Sequence, residues 1–309
     1  MPADPLIRLG TRRSPLALAQ AHEARARLCA AHGWDEAMVE LVPVVASGDK
    51  IQDRPLADIG GKALWTRELD MWLAEGRIDA AVHSMKDVET LRPDELAIGA
   101  ILPRADKADV LLGATSIAAI PSGARVGTSA PRRAAQLLHA RPDLEVVGIR
   151  GNVATRMAKL QAGEADATFL AAAGLSRLGE DSVGTRLDPE EWLPAPAQAA
   201  IGIECRASDG ETREWLAAID DEPSRQEVLA ERALLEGLGG TCHSPIAALT
   251  SRDGDRLHMK AAIYSPDGAI CIRREADFAP QDRAAARDLA ALLLTEAPAH
   301  VRAHFGGLA

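Results

Sequence analysis

The stretch V-H-S-M-K-D, Val82, His83, Ser84, Met85, Lys86 and Asp87, decides how the chain is read. Ala80, Ala81 and Val82 begin an apolar strand, and it stops abruptly at two charges. A buried strand that ends this way sets Lys86 and Asp87 just past its carboxyl end, on the rim where open α/β sheets bind ligands. An exposed Lys–Asp pair of little energetic weight would leave the same letters. The rest of the chain separates these readings.

Upstream, Ile7, Arg8 and Leu9 read as a strand and Gly10 to Arg13 as a turn. Ser14 suits an N-cap and Pro15 the first helical position, so a helix is expected through His32. Residues 39–45 form a second strand. Residues 46–62 hold Gly48, Pro55, Gly60 and Gly61 with little apolar periodicity, and so long a loop is expected to be a lid. A helix follows over 64–75, with Trp65, Leu69 and Trp72 on one face and Gly76 as its stop.

The same landmarks recur further on. Arg125, Val126, Gly127, Thr128, Ser129, Ala130 and Pro131 repeat the order strand, Gly-Thr, turn, proline, helix seen around Gly10-Thr11. Gly163 to Ala167 repeats Gly76 to Ala80, again a helix stop before a strand. Residues 144–149 read as a strand, and Asn152 caps a helix whose inner face carries Val153, Met157 and Leu160. Two similar α/β domains are expected. Residues 189–196 contain three prolines and read as a linker. Ile201 to Cys205 is a strand expected to return to the first domain. From Glu222 the pattern changes to a helix through Leu238, three strands (245–250, 257–264, 269–278) with turns at Asp253-Gly254 and Asp267-Gly268, and a helix over 281–304 broken near Pro298. This predicts a small α+β domain with a three-stranded antiparallel sheet.

The 309 residues suffice for two or three domains with their own cores. The formal net charge of −10 argues against nucleic acid or an anionic membrane as partner. No segment resembles a secretory signal or a membrane span. Cys29, Cys205, Cys242 and Cys271 show neither a C-x-x-C pair nor metal-ligand spacing, so a reduced cytoplasmic protein without a bound metal is expected.

Arginines gather at the predicted strand-to-helix turns: Arg12, Arg132, Arg133, Arg150 and Arg156, with Arg177 after the Ala-rich run at 171–173. Helix N-termini favour anions, and guanidinium pairs with carboxylate through two parallel hydrogen bonds. A set so placed predicts a ligand bearing several carboxylates, with hydroxyl help from Thr128 and Ser129. A phosphate ligand lacks a P-loop or G-x-G-x-x-G sequence. Cys242 stands apart from the other three cysteines, in the small, polar loop Gly239-Gly240-Thr241-Cys242-His243-Ser244-Pro245. It reads as a nucleophile, a metal ligand or a covalent attachment point, and attachment asks least of its neighbours.

These residues together resemble the porphobilinogen deaminase (hydroxymethylbilane synthase) family over nearly the whole length. The carriers are T-R-R-S-P-L-A-L at 11–18, G-G-K-A-L at 60–64, V-H-S-M-K-D at 82–87, G-T-S-A-P-R-R at 127–133 and R-G-N-V-A-T-R at 150–156. A-A-G-L-S-R-L-G at 172–179, G-I-E-C-R at 202–206 and the Cys242 loop complete the set. The resemblance implies two periplasmic-binding-protein-like α/β domains, residues 1–103 with 198–219 and residues 104–197, with the catalytic cleft between them, and an α+β domain at 220–309. It implies a dipyrromethane cofactor held by a thioether to Cys242, and a monomeric transferase that joins four porphobilinogen molecules with loss of ammonia and releases hydroxymethylbilane.

By the same resemblance Asp87 is the catalytic carboxylate. Lys86, Thr128, Ser129, Arg132 and Arg133 hold the cofactor. Arg12, Ser14, Arg150, Arg156 and Arg177 hold substrate or the growing chain. Departures from the family pattern are Trp65, Ala130, Pro131, Ala197, Ala199 and Thr241. Two other functions fit parts of the sequence: a non-catalytic two-domain binding protein for a polycarboxylate, and a thiol hydrolase using Cys242 and His243.

Overall fold

The computed structural model describes residues 4–44, 66–241 and 243–306. Its strands are β1 (Ile7–Arg12), β2 (Val39–Val44), β3 (Ala80–Ser84), β4 (Leu96–Ile101), β5 (Asp109–Leu112), β6 (Arg125–Gly127) and β7 (Glu145–Val147). They continue with β8 (Ala167–Ala171), β9 (Thr185–Arg186), β10 (Ile201–Arg206), β11 (Ile246–Asp253), β12 (Arg256–Tyr264) and β13 (Cys271–Phe278). The chain divides into two compact units, Met1–Ala105 with Ala199–Arg225 and Asp106–Gln198 with Gln226–Ala309.

The first unit holds the sheet β2-β1-β3-β10-β4. β1 runs parallel to β2 and β3, and β10 runs antiparallel to β3 and β4. β3 reads as continuous apolar sequence because both its faces are covered. The helix Pro15–His32 packs Ala21, Ala24 and Leu28 against Ile7, Leu9, Val82 and Ile203. The helix Arg67–Ala74 packs Leu69 and Leu73 against Val44, Ile78 and Ala81 on the other side. Ser14 caps the first of these helices as expected, its Oγ accepting from Ala17 N at 3.3 Å. The 46–62 lid expectation and Trp65 lie outside the described residues.

The second unit repeats the first sheet's plan as β7-β6-β8-β5-β9. Three strands are parallel (β7, β6, β8), followed by the antiparallel β5 and then β9. The repeated Gly-Thr landmarks therefore mark equivalent strands, β1 and β6. Pro131 opens the helix Pro131–Ala140, and Asn152 caps Val153–Gln161 by accepting from Thr155 N. Val153, Met157 and Leu160 lie on the buried side of that helix, against Leu170 and Leu175.

The same unit contains the antiparallel sheet β11-β12-β13. Period-2 alternation divides β12 between two cores. Leu257, Met259, Ala261 and Ile263 pack with the helices Glu222–Leu238 and Arg283–Glu296, whereas Ala262 and Tyr264 pack with Ala135 and Leu193. The final helix breaks at Pro298 as read from the sequence.

The linker expected over 189–196 is not one. Trp192 and Leu193 are 6% and 1% exposed, Trp192 stacks on Phe169, and Pro194 O accepts from Ala248 N. Proline removes backbone donors, which lets an irregular segment be buried with fewer groups to satisfy. β4 and β5 had no counterpart in the sequence reading, because each is a short run without alternation.

Ala197 and Ala199 have φ of 58° and 71°, a left-handed conformation that disfavours a Cβ. This chain accepts that strain at both positions. Ala197→Gly or Ala199→Gly should therefore stabilise the fold, by about 1 kcal/mol or less once the glycine's extra unfolded-state freedom is subtracted, and so raise the melting temperature. Calorimetry showing a lower melting temperature in both variants would exclude strain at these sites.

Candidate active site

Parallel strands put their carboxyl ends on one edge. In the first unit β1 ends at Arg12 and β3 at Ser84, so Arg12, Ser14, Ser84, Lys86 and Asp87 collect on that edge. Met85, Lys86 and Asp87 form a single 3-10 turn directly after β3. A cavity of about 70 Å³ opens here, lined by Arg12, Ser14, Gln20, Thr66, His83, Ser84 and Asp87 among others. Gln20 from the helix Pro15–His32 and Ser84 bond one another, Nε2 to Oγ at 2.8 Å.

The turn is seated by what lies below it. Met85 is 1% exposed and packs where Gly202 of β10 has no side chain; a Cβ there would stand 2.0 Å from Met85 Sδ. Met85 N donates to Ala200 O. His83 Nε2 lies 3.3 Å from Glu204 Oε2. Glu204, fully buried on β10, accepts from Arg92 Nε at 3.0 Å and from its terminal nitrogen at 2.8 Å. Arg92 also reaches Asp70 at 2.6 Å and Glu89 at 2.9 Å. One guanidinium thus ties together β10, the helix Arg67–Ala74 and the segment that leads away from Asp87. Neither Glu204 nor Arg92 was singled out from the sequence, since G-I-E-C-R reads as an ordinary strand.

In the second unit β6, β7 and β8 also end on one edge. Thr128, Ser129, Arg132 and Arg133 follow β6, Arg150 and Arg156 follow β7, and Arg177 follows β8, so each predicted residue sits beyond a parallel strand. Ser129 Oγ donates to Ile149 O at 2.9 Å, joining two of these turns. Arg150, Arg156 and Arg177 are half-buried. Arg132 and Arg133 differ: they are 5% and 4% exposed, and both reach the carboxylate of Asp109. Burial would raise the Asp109 carboxyl, but the two guanidiniums outweigh it and hold it well below the usual carboxylate range. Arg132 Nε is buried and unpartnered in this cluster, a donor suited to a carboxylate-bearing ligand. Cys242 lies outside the described residues; beside it, Thr241 N donates to Ser244 Oγ at 3.1 Å.

A family model described as porphobilinogen deaminase, dipyromethane cofactor binding domain, matches residues 7–214, and one described as porphobilinogen deaminase, C-terminal domain, matches 225–295. The chain belongs to the porphobilinogen deaminase family. A porphobilinogen deaminase of Sphingopyxis alaskensis is 55% identical, covering 98% of this chain and 98% of that protein. One of Paracoccus denitrificans is 50% identical over 96% of each. Among solved structures, a Bordetella pertussis BvgS VFT2 domain aligns at 18% identity with a TM-score of 0.41, covering 69% of this chain and 84% of that one.

The Glu204 network makes an acid-pH prediction. Burial raises this carboxyl, but His83 and Arg92 outweigh it and bring it to about 2 from an ordinary 4.5. A carboxyl depressed by folding stabilises the fold above its unfolded value and loses that contribution as pH falls toward its folded value. The melting temperature should drop as pH falls from about 4.5 to about 2, and less steeply in Glu204→Gln. Identical slopes in the two proteins would remove Glu204 from the acid response.

Proposed function

We propose that Asp87 is the catalytic carboxylate of this chain and that Cys242 carries the dipyrromethane through a thioether. The reaction is that of the family. Four porphobilinogen molecules are joined head to tail, each losing ammonia, and hydroxymethylbilane is released by water in tetrapyrrole biosynthesis. The observation that carries this reading is the cofactor-domain match over 7–214, which includes the rim bearing Asp87.

Dipyrromethane supplies the free pyrrole position to which the first substrate is joined. The chain's own residues then have three tasks. Loss of ammonia leaves positive charge on the substrate's methylene-pyrrole, and a fixed carboxylate near the pyrrole N–H stabilises that charge as it develops. The anchoring of the Asp87 turn through Met85 supports this role. The new carbon–carbon bond releases a proton from the attacked ring carbon, and a carboxylate at the same edge is a fitting acceptor. Each pyrrole brings an acetate and a propionate, so guanidinium partners must accumulate. Arg12, Ser14, Arg150, Arg156 and Arg177 serve substrate and the growing chain, Lys86, Thr128, Ser129 and Arg132 serve the cofactor directly, and Arg133 serves it through its neighbours.

The three sheets support a division into three domains, at 1–103 with 198–219, at 104–197 and at 220–309. A monomer in the cytoplasm fits the net charge of −10 and the free thiols of Cys29, Cys205 and Cys271. Among the described residues no helix is long and apolar enough to cross a membrane.

Two measurements test the assignment. The intact mass of the purified chain should exceed the sequence mass by one unit of two linked pyrroles, and Cys242→Ala should lack the increment; an unmodified wild-type chain with full activity refutes the attachment. Asp87→Ala should fold and keep the increment while losing at least about 10²–10³ in turnover, the usual weight of a group that stabilises transition-state charge. Near-normal turnover would take the role from Asp87.

A further inference from the structure

Two adjacent arginines open the helix Pro131–Ala140, and its first turn contains no acidic residue. Cations at a helix N-terminus oppose its dipole, and both of these are buried. The compensating group is distant in sequence. Asp109, the first residue of β5, is fully buried and accepts five hydrogen bonds. Its Oδ2 receives Arg132 at 2.6 Å, Arg133 Nε at 3.2 Å and Trp192 Nε1 at 3.0 Å. Its Oδ1 receives Arg133 at 2.6 Å and Gln198 Nε2 at 3.0 Å.

The two arginines are not equivalent. Arg133 gives Asp109 its Nε and one terminal nitrogen, the bidentate geometry, and its other terminal nitrogen donates to Phe169 O at 2.9 Å. All three of its nitrogens are spent inside the protein. Arg132 makes one bond to Asp109, one to Leu193 O at 3.2 Å and one to Gln198 Oε1 at 3.3 Å, and its buried Nε has no partner. Two guanidiniums and one carboxylate leave this hydrogen-bonded cluster with a single surplus positive charge. A surplus cation with an open N–H is costly in a protein interior unless an anion meets it.

We propose that Asp109 is a positioning residue for the cofactor: it neutralises Arg133, which acts as a structural strut, and leaves Arg132 alone to receive a cofactor carboxylate. This rests on the family reading, and it separates two arginines that share one motif. Asp109 and Arg133 act together as a neutral buried pair whose job is to aim Arg132.

The test is the fraction of purified chain that carries the pyrrole increment, read by intact mass, with circular dichroism and melting to restrict the comparison to folded protein. Asp109→Asn places a second surplus charge in the cluster, and Arg133→Gln removes the surplus altogether; each should lower the loaded fraction several-fold. The double variant Asp109→Asn with Arg133→Gln restores one surplus charge on Arg132, and removing both members of a buried pair is tolerated better than removing one. Its loaded fraction, compared among equally folded samples, should recover toward wild type, a non-additive result. A double variant loaded no better than the worse single variant overturns the proposal.

Should Asp109→Asn fail to accumulate as folded protein, Arg133→Lys against Arg133→Gln carries the same question. The charge-conserving lysine should stay largely loaded where glutamine is not, and equal loading in both overturns the proposal. An unmodified wild-type chain overturns the attachment reading and this proposal with it. A loaded wild type with equally loaded Asp109→Asn overturns this proposal alone.

Discussion

Each α/β sheet buries one carboxylate on its antiparallel strand, and each carboxylate is matched by guanidinium. In the first unit this is Glu204 on β10, held by Arg92. In the second it is Asp109 on β5, held by Arg132 and Arg133. β10 and β5 occupy the same place in their sheets, fourth in order and next to the last parallel strand. An isolated buried charge would be strongly destabilising, so the local geometry around these strands is tied to the arginines that reach them. The arginines come from the loop after Asp87 and from the helix after β6. The charge that must be satisfied in each core therefore fixes the segment that borders the rim.

This coupling gives the short turns at the strand ends a fixed backing. A 3-10 turn of three residues has little rigidity of its own. Met85 is locked under it by the missing side chain at Gly202, and Arg92 pins the chain a few residues on. Asp87 therefore ends an anchored turn and not a loose loop. The equivalent edge of the second sheet is set by Ser129 bridging to Ile149 and by the Asp109 cluster.

Much of this was legible in the residues. The Ser14-Pro15 and Asn152 helix starts, the repeated Gly-Thr landmarks, the return of β10 to the first sheet and the three-stranded third sheet all follow from local chemistry: caps, fixed φ, side-chain period and turn glycines. The position of Arg12, Lys86, Asp87, Arg150 and Arg177 at strand ends was legible because each is a polar residue at or after the end of an apolar strand. The buried layer was not legible. Asp109 opens a four-residue strand and Glu204 sits in G-I-E-C-R, and nothing near either says that it is buried or which arginine it meets. Residues 189–196 misled for a related reason, since three prolines mark irregular backbone equally well on a surface and in a core.

The sequence by itself determined the two repeated α/β patterns, the third sheet, the family and the residues along the strand ends, because each depends on neighbours within a turn or two. Only the tertiary structure decided that Arg132 and Arg133 share one carboxylate 23 or 24 residues away, and that Glu204 answers to an arginine 112 residues distant. Charge compensation in a core is settled by distance in space and by desolvation, and neither is written in the order of the chain.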